Sequence, residues 1–263
     1  MSAQQIADQL WNASAWGKPV APIGDAIRAA AGDGSADDLA YAIQQINVER
    51  TVNDRGTRVC GRKIGLTAIA VQQQLGVDRP DFGALYADRA FGDGDTIDTA
   101  RFISPRVEPE IALVLGTDLD IVQPTVADVI RATDYVLAAI EVVDSRIADW
   151  EIGFHDTVAD NASGDSFVLG TVPHLLTGLN LADVEITMTI DGEVVSTGTG
   201  RACLGNPLFA ARWLAHTLAA AGTPLRAGDV VMTGAVAAMA PFAPGAEVTA
   251  DFGALGTLSI GAS

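Results

Sequence analysis

Two glutamates at alternate positions of a predicted strand are the residues of this sequence most suited to chemistry. Glu108 and Glu110 flank Pro109 and precede the apolar run 111–115, and alternate residues of a strand point to the same face. Two carboxylates on a buried strand repel each other and lose hydration, so they need protonation, a cationic partner or a metal. Pro109 cannot donate to a sheet ladder and therefore predicts a sheet edge or a bulge.

A third glutamate has similar surroundings. Glu141 interrupts the apolar run 135–143, although the chain contains only 8 Glu against 25 Asp. Three carboxylates without a nearby His or Cys suit a hard cation such as Mg²⁺ or Mn²⁺, which leaves positions open for water and substrate oxygens. Two alternatives stay open, namely strand acids that face solvent and structural ion pairs with Arg106 or Arg146.

Lys63 is unusual because the chain has 2 Lys against 14 Arg. A desolvated lysine can lose its proton and an arginine cannot, so Lys63 is a candidate for proton transfer. Asp81, before an apolar strand, is a candidate partner or proton donor. The alternatives are a lysine that reaches solvent from a strand edge and an aspartate in a turn. The segment 160–164, which contains Asn161 and Ser163, suits a loop that holds a carboxylate, with an ordinary turn as the alternative.

The composition predicts a compact protein and excludes several partners. The chain has 263 residues, of which 49% are hydrophobic and 19% charged, and a net charge of −17; disordered chains are less apolar. The charge and the lack of a Lys/Arg cluster argue against nucleic acid and an anionic membrane surface as partners. Two cysteines form no disulfide framework, and no signal peptide or apolar span is evident. We therefore expect a cytoplasmic protein.

The order of elements predicts an α+β fold, with a helical N-terminal part over residues 1–56 and a β-rich catalytic domain over residues 57–263. Ser2 is the predicted cap of the first helix, and Asp37 that of the third. Further helices are predicted at 67–75, 125–133 and 208–221. Strands are predicted at 59–65, 82–86, 107–115, 137–143, 166–169, 184–190, 230–233, 247–252 and 257–260.

Four segments together resemble a known family. They are Lys-Ile-Gly-Leu-Thr at 63–67, Glu-Pro-Glu-Ile-Ala at 108–112, Glu-Val-Val-Asp-Ser-Arg at 141–146 and Asp-Asn-Ala-Ser at 160–163. In order and spacing the segments resemble the 2-hydroxypenta-2,4-dienoate hydratases (2-keto-4-pentenoate hydratases). Those enzymes and the 4-oxalocrotonate decarboxylases belong to the fumarylacetoacetate hydrolase superfamily. The resemblance covers essentially the whole chain.

The resemblance implies a fumarylacetoacetate hydrolase-like fold, a divalent metal ion and a homo-oligomer. The implied metal, Mg²⁺ or Mn²⁺, is held by Glu108, Glu110 and Glu141. The implied catalytic pair is Lys63 and Asp81. The implied substrate-binding residues are Ser163, Asn161, Gly65 and Leu66.

The activity that the resemblance implies is a hydro-lyase reaction in the meta-cleavage degradation of aromatic compounds. Water adds to 2-hydroxypenta-2,4-dienoate, a small 2-hydroxydienoate, and gives 4-hydroxy-2-oxopentanoate. The main alternative is a 4-oxalocrotonate decarboxylase. An acylpyruvate-type hydrolase and a non-catalytic partner subunit are weaker alternatives, and a complex with the pathway decarboxylase or aldolase stays open.

Overall fold

Three helices open the chain. The computed structural model describes residues 1–69, 72–73, 77 and 79–263, and the first helices are α1 Ala3–Trp16, α2 Gly24–Ala31 and α3 Ala36–Arg55. Ser2 caps α1 in a capping box with Gln5, as predicted. The cap of α3 is Ser35, whose hydroxyl accepts from the amide of Asp38. The prediction of Asp37 as the cap is wrong, because Asp37 lies in the first turn of α3. Its negative charge interacts favourably with the helix dipole there.

The rest of the chain is rich in strands. The strands are β1 Val59–Gly65, β2 Asp81–Tyr86, β3 Ala90–Gly92, β4 Thr96–Ile97, β5 Pro105–Leu115, β6 Thr133–Asp144, β7 Gly164–Leu169, β8 Glu185–Ile190, β9 Glu193–Thr199, β10 Val230–Ala235, β11 Ala240–Pro241, β12 Glu247–Asp251 and β13 Thr257–Ala262. The helices among them are α4 Val126–Ala132, α5 Phe154–Ala159 and α6 Pro207–Ala220.

The strands form two sheets. The larger sheet has the order β2-β1-β10-β5-β6-β7-β3, with β11 also paired to β5, and the smaller has the order β4-β13-β12-β8-β9. Most pairs are antiparallel, whereas β1/β10, β3/β7 and β4/β13 are parallel. The predicted α+β class with a helical start is confirmed.

Each predicted strand overlaps a strand of the structure, and some elements were not predicted. The strands β3, β4 and β11 are only two or three residues long, and β9 is mostly polar with an internal glycine. Helix α5 has six residues, which is too short for a helical period to be visible. The helix predicted at 67–75 lies partly outside the described residues.

Pro109 lies on a central strand, because β5 pairs with both β10 and β6. The prediction of a sheet edge is therefore wrong, and the prediction of a bulge is confirmed in the neighbouring strand. The register of β10 shifts between Met232 and Ala235, beside Pro109. Pro109 has no N–H to offer there, and its carbonyl accepts from the amide of Val236 beyond β10.

The two faces of β5 have different partners. Val107, Ile111 and Leu113 belong to the main hydrophobic core, which includes residues of α6, β12 and β13. The opposite face carries Glu108 and Glu110, followed by apolar residues of a second, smaller cluster. That cluster consists of Cys60, Leu85, Ala112, Val114, Leu137, Ala139, Phe167 and Met232. One face of the larger sheet is thus charged at one end and apolar at the other.

The larger sheet curls around this mixed face. Lys63 on β1 and Glu141 on β6 are three strand intervals apart in the sheet order, which corresponds to about 14 Å in a flat sheet. Lys63 Nζ lies 3.2 Å from Glu141 Oε2, and a Cβ at Gly164 on β7, one strand further away, would lie only 3.6 Å from Lys63 Cγ. The face that carries the charged groups must therefore be concave.

The N-terminal helices pack beside the concave face. Ile6, Ile27 and Ile43 share a buried cluster with Phe154 and Val158 of α5. Apolar burial of this kind is the main favourable term in folding. The helical part therefore rests directly on α5, the helix that precedes the Asn161 segment.

Candidate functional site

Three glutamates converge at the charged end of the concave face. Glu108 on β5 is directly opposite Glu141 on β6, and Glu110 follows two residues later on the same face. One carboxylate oxygen of each residue lies within 4.8 Å of one of each other residue. Glu110 and Glu141 are fully buried and Glu108 is half-buried.

The carboxylate oxygens of Glu110 and Glu141 are poorly satisfied by the protein. Glu110 Oε2 accepts from the amide of Gly234 at 2.8 Å. Among the described residues, Glu110 Oε1 and both oxygens of Glu141 have no hydrogen bond of good geometry. Buried carboxylates left in this state are costly unless a cation joins them. An all-oxygen set with open lone pairs fits a hard divalent cation, so the cluster can hold a metal ion.

The electrostatics of the three carboxyls agree with that interpretation. Burial raises the pKa of Glu108 to about 7, although Lys63 lowers it. Burial, and then the charge of Glu141, raises the pKa of Glu110 well above its usual value. Burial likewise raises the pKa of Glu141, against the lowering effect of Lys63. Without a metal ion the three groups resist full ionisation.

Lys63 lies beside the glutamates and is almost completely buried. Its Nζ donates to the carbonyl of Ala162 at 2.8 Å and lies 3.2 Å from Glu141 Oε2. Burial alone would lower the pKa of Lys63, but the charges of Glu141 and Asp81 outweigh it and the pKa is raised. The amine is therefore held as a cation in the absence of a metal ion.

Asp81 begins β2 and is fully buried. Its Oδ2 accepts from the hydroxyl of Thr157 at 2.9 Å, and its Oδ1 has no hydrogen-bond partner among the described residues. Burial raises the pKa of Asp81, while Lys63 and the Thr157 hydroxyl lower it. The structure thus places an acid with one free oxygen near Lys63.

Gly65 provides the space between these two groups. It pairs with Asp81 across β1 and β2. A Cβ at Gly65 would collide with Asp81 Oδ1 and would lie 3.5 Å from Lys63 Nζ. Both atoms therefore border the same small volume, which a side chain at position 65 would fill. Leu66 follows with a left-handed φ of 57° and is half-buried, and its carbonyl accepts from Gln72.

The segment after α5 presents a backbone oxygen to Lys63. Asn161, Ala162 and Ser163 all have left-handed φ values, between 51° and 56°, which non-glycine residues adopt rarely and at a cost. The Asn161 amide group bonds the backbone of Ala84 twice, by accepting from its N–H at 2.7 Å and donating to its carbonyl at 3.1 Å. Ser163 is buried, and its hydroxyl has no partner among the described residues.

The start of this segment is fixed by a buried ion pair. Arg146 Nε donates to Asp160 Oδ1 at 2.5 Å, and its guanidinium also donates to the Asp160 carbonyl. The backbone amide of Arg146 donates to Asp160 Oδ2 at 2.9 Å. Arg146 therefore forms its ion pair with Asp160 and not with a glutamate. Glu141 forms its ion pair with Lys63.

The structure thus brings Glu108, Glu110, Glu141, Lys63, Asp81, Gly65 and the Asn161 segment into one region. Their predicted roles stay predictions. The sequence-based reasoning did not single out Thr157, whose hydroxyl reaches Asp81, or Gln44, whose amide donates to the carbonyls of Phe82 and Val158. A lone Thr or Gln on a helix carries no recognisable signal.

Comparison with known proteins agrees with this geometry. Residues 58–260 match the protein family described as Fumarylacetoacetate (FAA) hydrolase C-terminal. The chain belongs to the fumarylacetoacetate hydrolase family. The resemblance inferred from the sequence is therefore confirmed, as is the predicted fold.

Two relatives within this family are particularly similar. The chain is 54% identical over 258 residues to a 2-keto-4-pentenoate hydratase of Burkholderia vietnamiensis (strain G4 / LMG 22486), with 98% of this chain and 96% of that protein covered. It is 52% identical over 242 residues to a 2-keto-4-pentenoate hydratase of Paraburkholderia xenovorans (strain LB400), with 92% and 88% covered.

A solved structure of the same fold belongs to an enzyme with a different activity. It is the 4-oxalocrotonate decarboxylase from Pseudomonas putida G7, complexed with magnesium and adipate, with a TM-score of 0.91 and 32% sequence identity. The alignment covers 99% of this chain and 97% of that one.

In the described part of the present chain, no helix has the length and apolar character needed to cross a bilayer.

Proposed function

We propose that the protein is a metal-dependent hydro-lyase that adds water to 2-hydroxypenta-2,4-dienoate and forms 4-hydroxy-2-oxopentanoate in the meta-cleavage degradation of aromatic compounds. The observation that carries the proposal is the juxtaposition of three glutamates, of which Glu110 and Glu141 are poorly satisfied, with a buried Lys63 and Asp81. This constellation occurs in a chain that is 54% identical to a 2-keto-4-pentenoate hydratase.

Glu108, Glu110 and Glu141 are the proposed ligands of one Mg²⁺ or Mn²⁺. When bound, the ion supplies positive charge that offsets the negative charge on the substrate's carboxylate and C2 oxygen. Gly234 also supports the site, because its backbone amide donates to Glu110 Oε2 and so orients the carboxylate. The all-oxygen donor set favours these hard cations over zinc, which prefers nitrogen and sulfur ligands.

Asp81 and Lys63 are the proposed proton-transfer groups. The reaction needs a proton at C5 as the C2 hydroxyl loses one, and then a hydroxide at C4 and a proton at C3, both from one water molecule. Asp81 Oδ1 borders the space beside Gly65 and has no competing partner among the described residues, so it can hold or release a proton there. Lys63 carries a positive charge beside the same space. It can transfer a proton once the neighbouring carboxylates no longer balance that charge.

Ser163, Asn161, Gly65 and Leu66 are the proposed substrate-binding residues. The Ser163 hydroxyl is buried without a partner among the described residues and is available to a substrate oxygen. Gly65 contributes open space, and Leu66 half-buried apolar surface beside it. The contribution of Asn161 is the shape of the segment, because its amide is already bonded at both ends to Ala84.

A 4-oxalocrotonate decarboxylase is the second candidate, because the structure of that enzyme from Pseudomonas putida G7 has a TM-score of 0.91 to this chain. Its substrate carries a second carboxylate, which needs an additional cation in the pocket. The higher identity to the named hydratases, 54% against 32%, favours the hydratase.

One assay separates the two. The purified protein with Mg²⁺ is given 2-hydroxypenta-2,4-dienoate and, separately, 2-hydroxymuconate with 4-oxalocrotonate, and both the dienoate absorbance and released carbon dioxide are followed. We expect loss of dienoate absorbance with formation of 4-hydroxy-2-oxopentanoate and no carbon dioxide. Release of carbon dioxide from the dicarboxylate at a higher kcat/KM would identify a decarboxylase. Glu110→Gln serves as the inactive control.

Further parts of the proposal concern organisation and location. We propose a helical part over residues 1–56 and a catalytic domain over 57–263, supported by the end of α3 at Arg55 and the start of the family match at residue 58. A cytoplasmic location is supported by Cys60 and Cys203, which are both buried and free. A homo-oligomer, and a complex with the pathway decarboxylase or aldolase, are tested by sedimentation of the protein alone and with those partners.

A further inference from the structure

The Thr157 hydroxyl touches only one of the two oxygens of Asp81. It donates to Oδ2 at 2.9 Å, within a buried environment. The other oxygen, Oδ1, has no partner in the described part of the chain and borders the space at Gly65 that Lys63 Nζ also borders. The two oxygens of one carboxyl group are therefore not equivalent.

The hydroxyl is held in place from the N-terminal side of its helix. Asp156, its neighbour in α5, accepts from the amides of Ile23 and Gly24 through Oδ1, at 2.6 Å and 2.8 Å. These amides belong to the start of α2, where backbone N–H groups lack intrahelical partners. These two hydrogen bonds hold α5 against the start of α2, one residue before Thr157.

The same helix is also fastened to the strand of Asp81. Gln44 of α3 is buried, and its Nε2 donates to the carbonyl of Val158 at 2.8 Å and to that of Phe82 at 2.9 Å. Val158 follows Thr157 in the chain, and Phe82 follows Asp81. One amide therefore ties together the two backbone segments that carry the hydrogen-bonded pair.

We infer that Thr157 is a positioning residue that determines which oxygen of Asp81 exchanges protons with the substrate. A hydroxyl that donates to Oδ2 makes this oxygen the poorer site for a proton, so the proton of the acid resides on Oδ1. The proton then leaves Oδ1 for a substrate carbon, and the electron pair of the O–H bond remains on the carboxylate. The Thr157 hydrogen bond strengthens as that negative charge forms.

This inference rests on the proposed function, and its test separates the two. Thr157→Val removes the hydroxyl and keeps the branched shape, whereas Thr157→Ser keeps the hydroxyl. Thr133→Val is the matched control, because the Thr133 hydroxyl donates to the carbonyl of Val129 at 2.8 Å, near the far end of β6 from Glu141. For each variant kcat and KM for 2-hydroxypenta-2,4-dienoate and the Kd for Mg²⁺ are measured.

We expect Thr157→Val to lower kcat by about 10–100-fold, the effect of losing one hydrogen bond to a charged group, while KM and the Kd for Mg²⁺ change less than about threefold. Thr157→Ser should recover most of the lost kcat, and Thr133→Val should match the wild type. A kcat for Thr157→Val equal to that of the wild type would overturn the inference. So would a serine variant as slow as the valine variant, since that pattern indicates packing alone. If the valine variant does not fold, Thr157→Ala removes the same hydroxyl under the same criteria.

If the wild-type protein has no activity on the dienoate, the proposed function is refuted. The inference about Thr157 is then tested by structure alone. Crystal structures of the wild type and Thr157→Val then decide it through the orientation of the Asp81 carboxylate. A rotated carboxylate in the variant supports the inference, and an unchanged orientation overturns it.

Discussion

Replacing Gly65 by alanine should nearly abolish turnover and leave the metal site intact. Gly65 is the Cα partner of Asp81 across β1 and β2. A Cβ at position 65 would stand 2.2 Å from Asp81 Oδ1 and 3.5 Å from Lys63 Nζ, whereas real Cβ atoms do not approach within 3.0 Å. The carboxylate of Asp81 must therefore move by about 1 Å to reach an ordinary contact distance.

The size of the effect follows from what that movement breaks. The other oxygen of Asp81 is bonded to Thr157, so a shift of the carboxylate strains or removes this hydrogen bond. A misplacement of about 1 Å at a reacting group costs about 100-fold in rate. Overpacking of a buried site costs about 1–3 kcal/mol of the free energy of unfolding. We therefore expect a folded protein with a lower melting temperature and a kcat about 100-fold below that of the wild type.

The assay pairs kcat for 2-hydroxypenta-2,4-dienoate with the Kd for Mg²⁺ from calorimetry. Gly92→Ala is the matched control, since a Cβ on this strand glycine would meet Asp95 Oδ2 at an ordinary 3.5 Å. We expect the control to keep full activity and both variants to keep the wild-type Kd for Mg²⁺. A Gly65→Ala variant with kcat within about threefold of the wild type would show that Asp81 Oδ1 does not act in this space.

Three further predictions concern the metal site and the helical support. Glu110→Gln should weaken Mg²⁺ binding by at least about 10-fold in calorimetry, because the ligand set loses one charge; unchanged binding would exclude Glu110 as a ligand. Burial raises the pKa of Glu108 to about 7 without metal, so Mg²⁺ must displace a proton and should bind about tenfold more tightly at about pH 8 than at about pH 6. Equal affinities at both pH values would refute that linkage. Gln44→Leu should lower the free energy of unfolding by about 2–4 kcal/mol in urea denaturation, since one buried and one part-buried carbonyl lose this donor. Gln45→Leu on the exposed face of α3 should change it by less than about 0.5 kcal/mol.

The sequence was most informative where geometry is local. Strand alternation placed Glu108 and Glu110 on one face, and their neighbours marked the strand as buried. Composition singled out Glu141 and Lys63 in their unusual surroundings, because Glu and Lys are scarce in this chain. Residue type and period-two alternation were enough to nominate these positions.

The remaining features depend on contacts between distant segments. The approach of Gly164 to Lys63 requires a sheet that curls across four strand intervals, which no local pattern encodes. The left-handed run from Asn161 to Ser163 carries no glycine and is supported by Ala84, 77 residues away from Asn161. Thr157 gains its interest only from the position of Asp81, 76 residues earlier.

The curl of the larger sheet has a consequence for how activity can be improved by mutation. The spacing between Lys63 and Glu141 depends on the curvature of four strands, and the convex side of β5 is packed against α6 and the smaller sheet through Val107, Ile111 and Leu113. A change of side-chain volume on that convex side alters the curvature and with it the distance between the charged groups. Selection for a new dienoate should therefore enrich apolar substitutions on the reverse of the sheet, remote from any polar atom of the site.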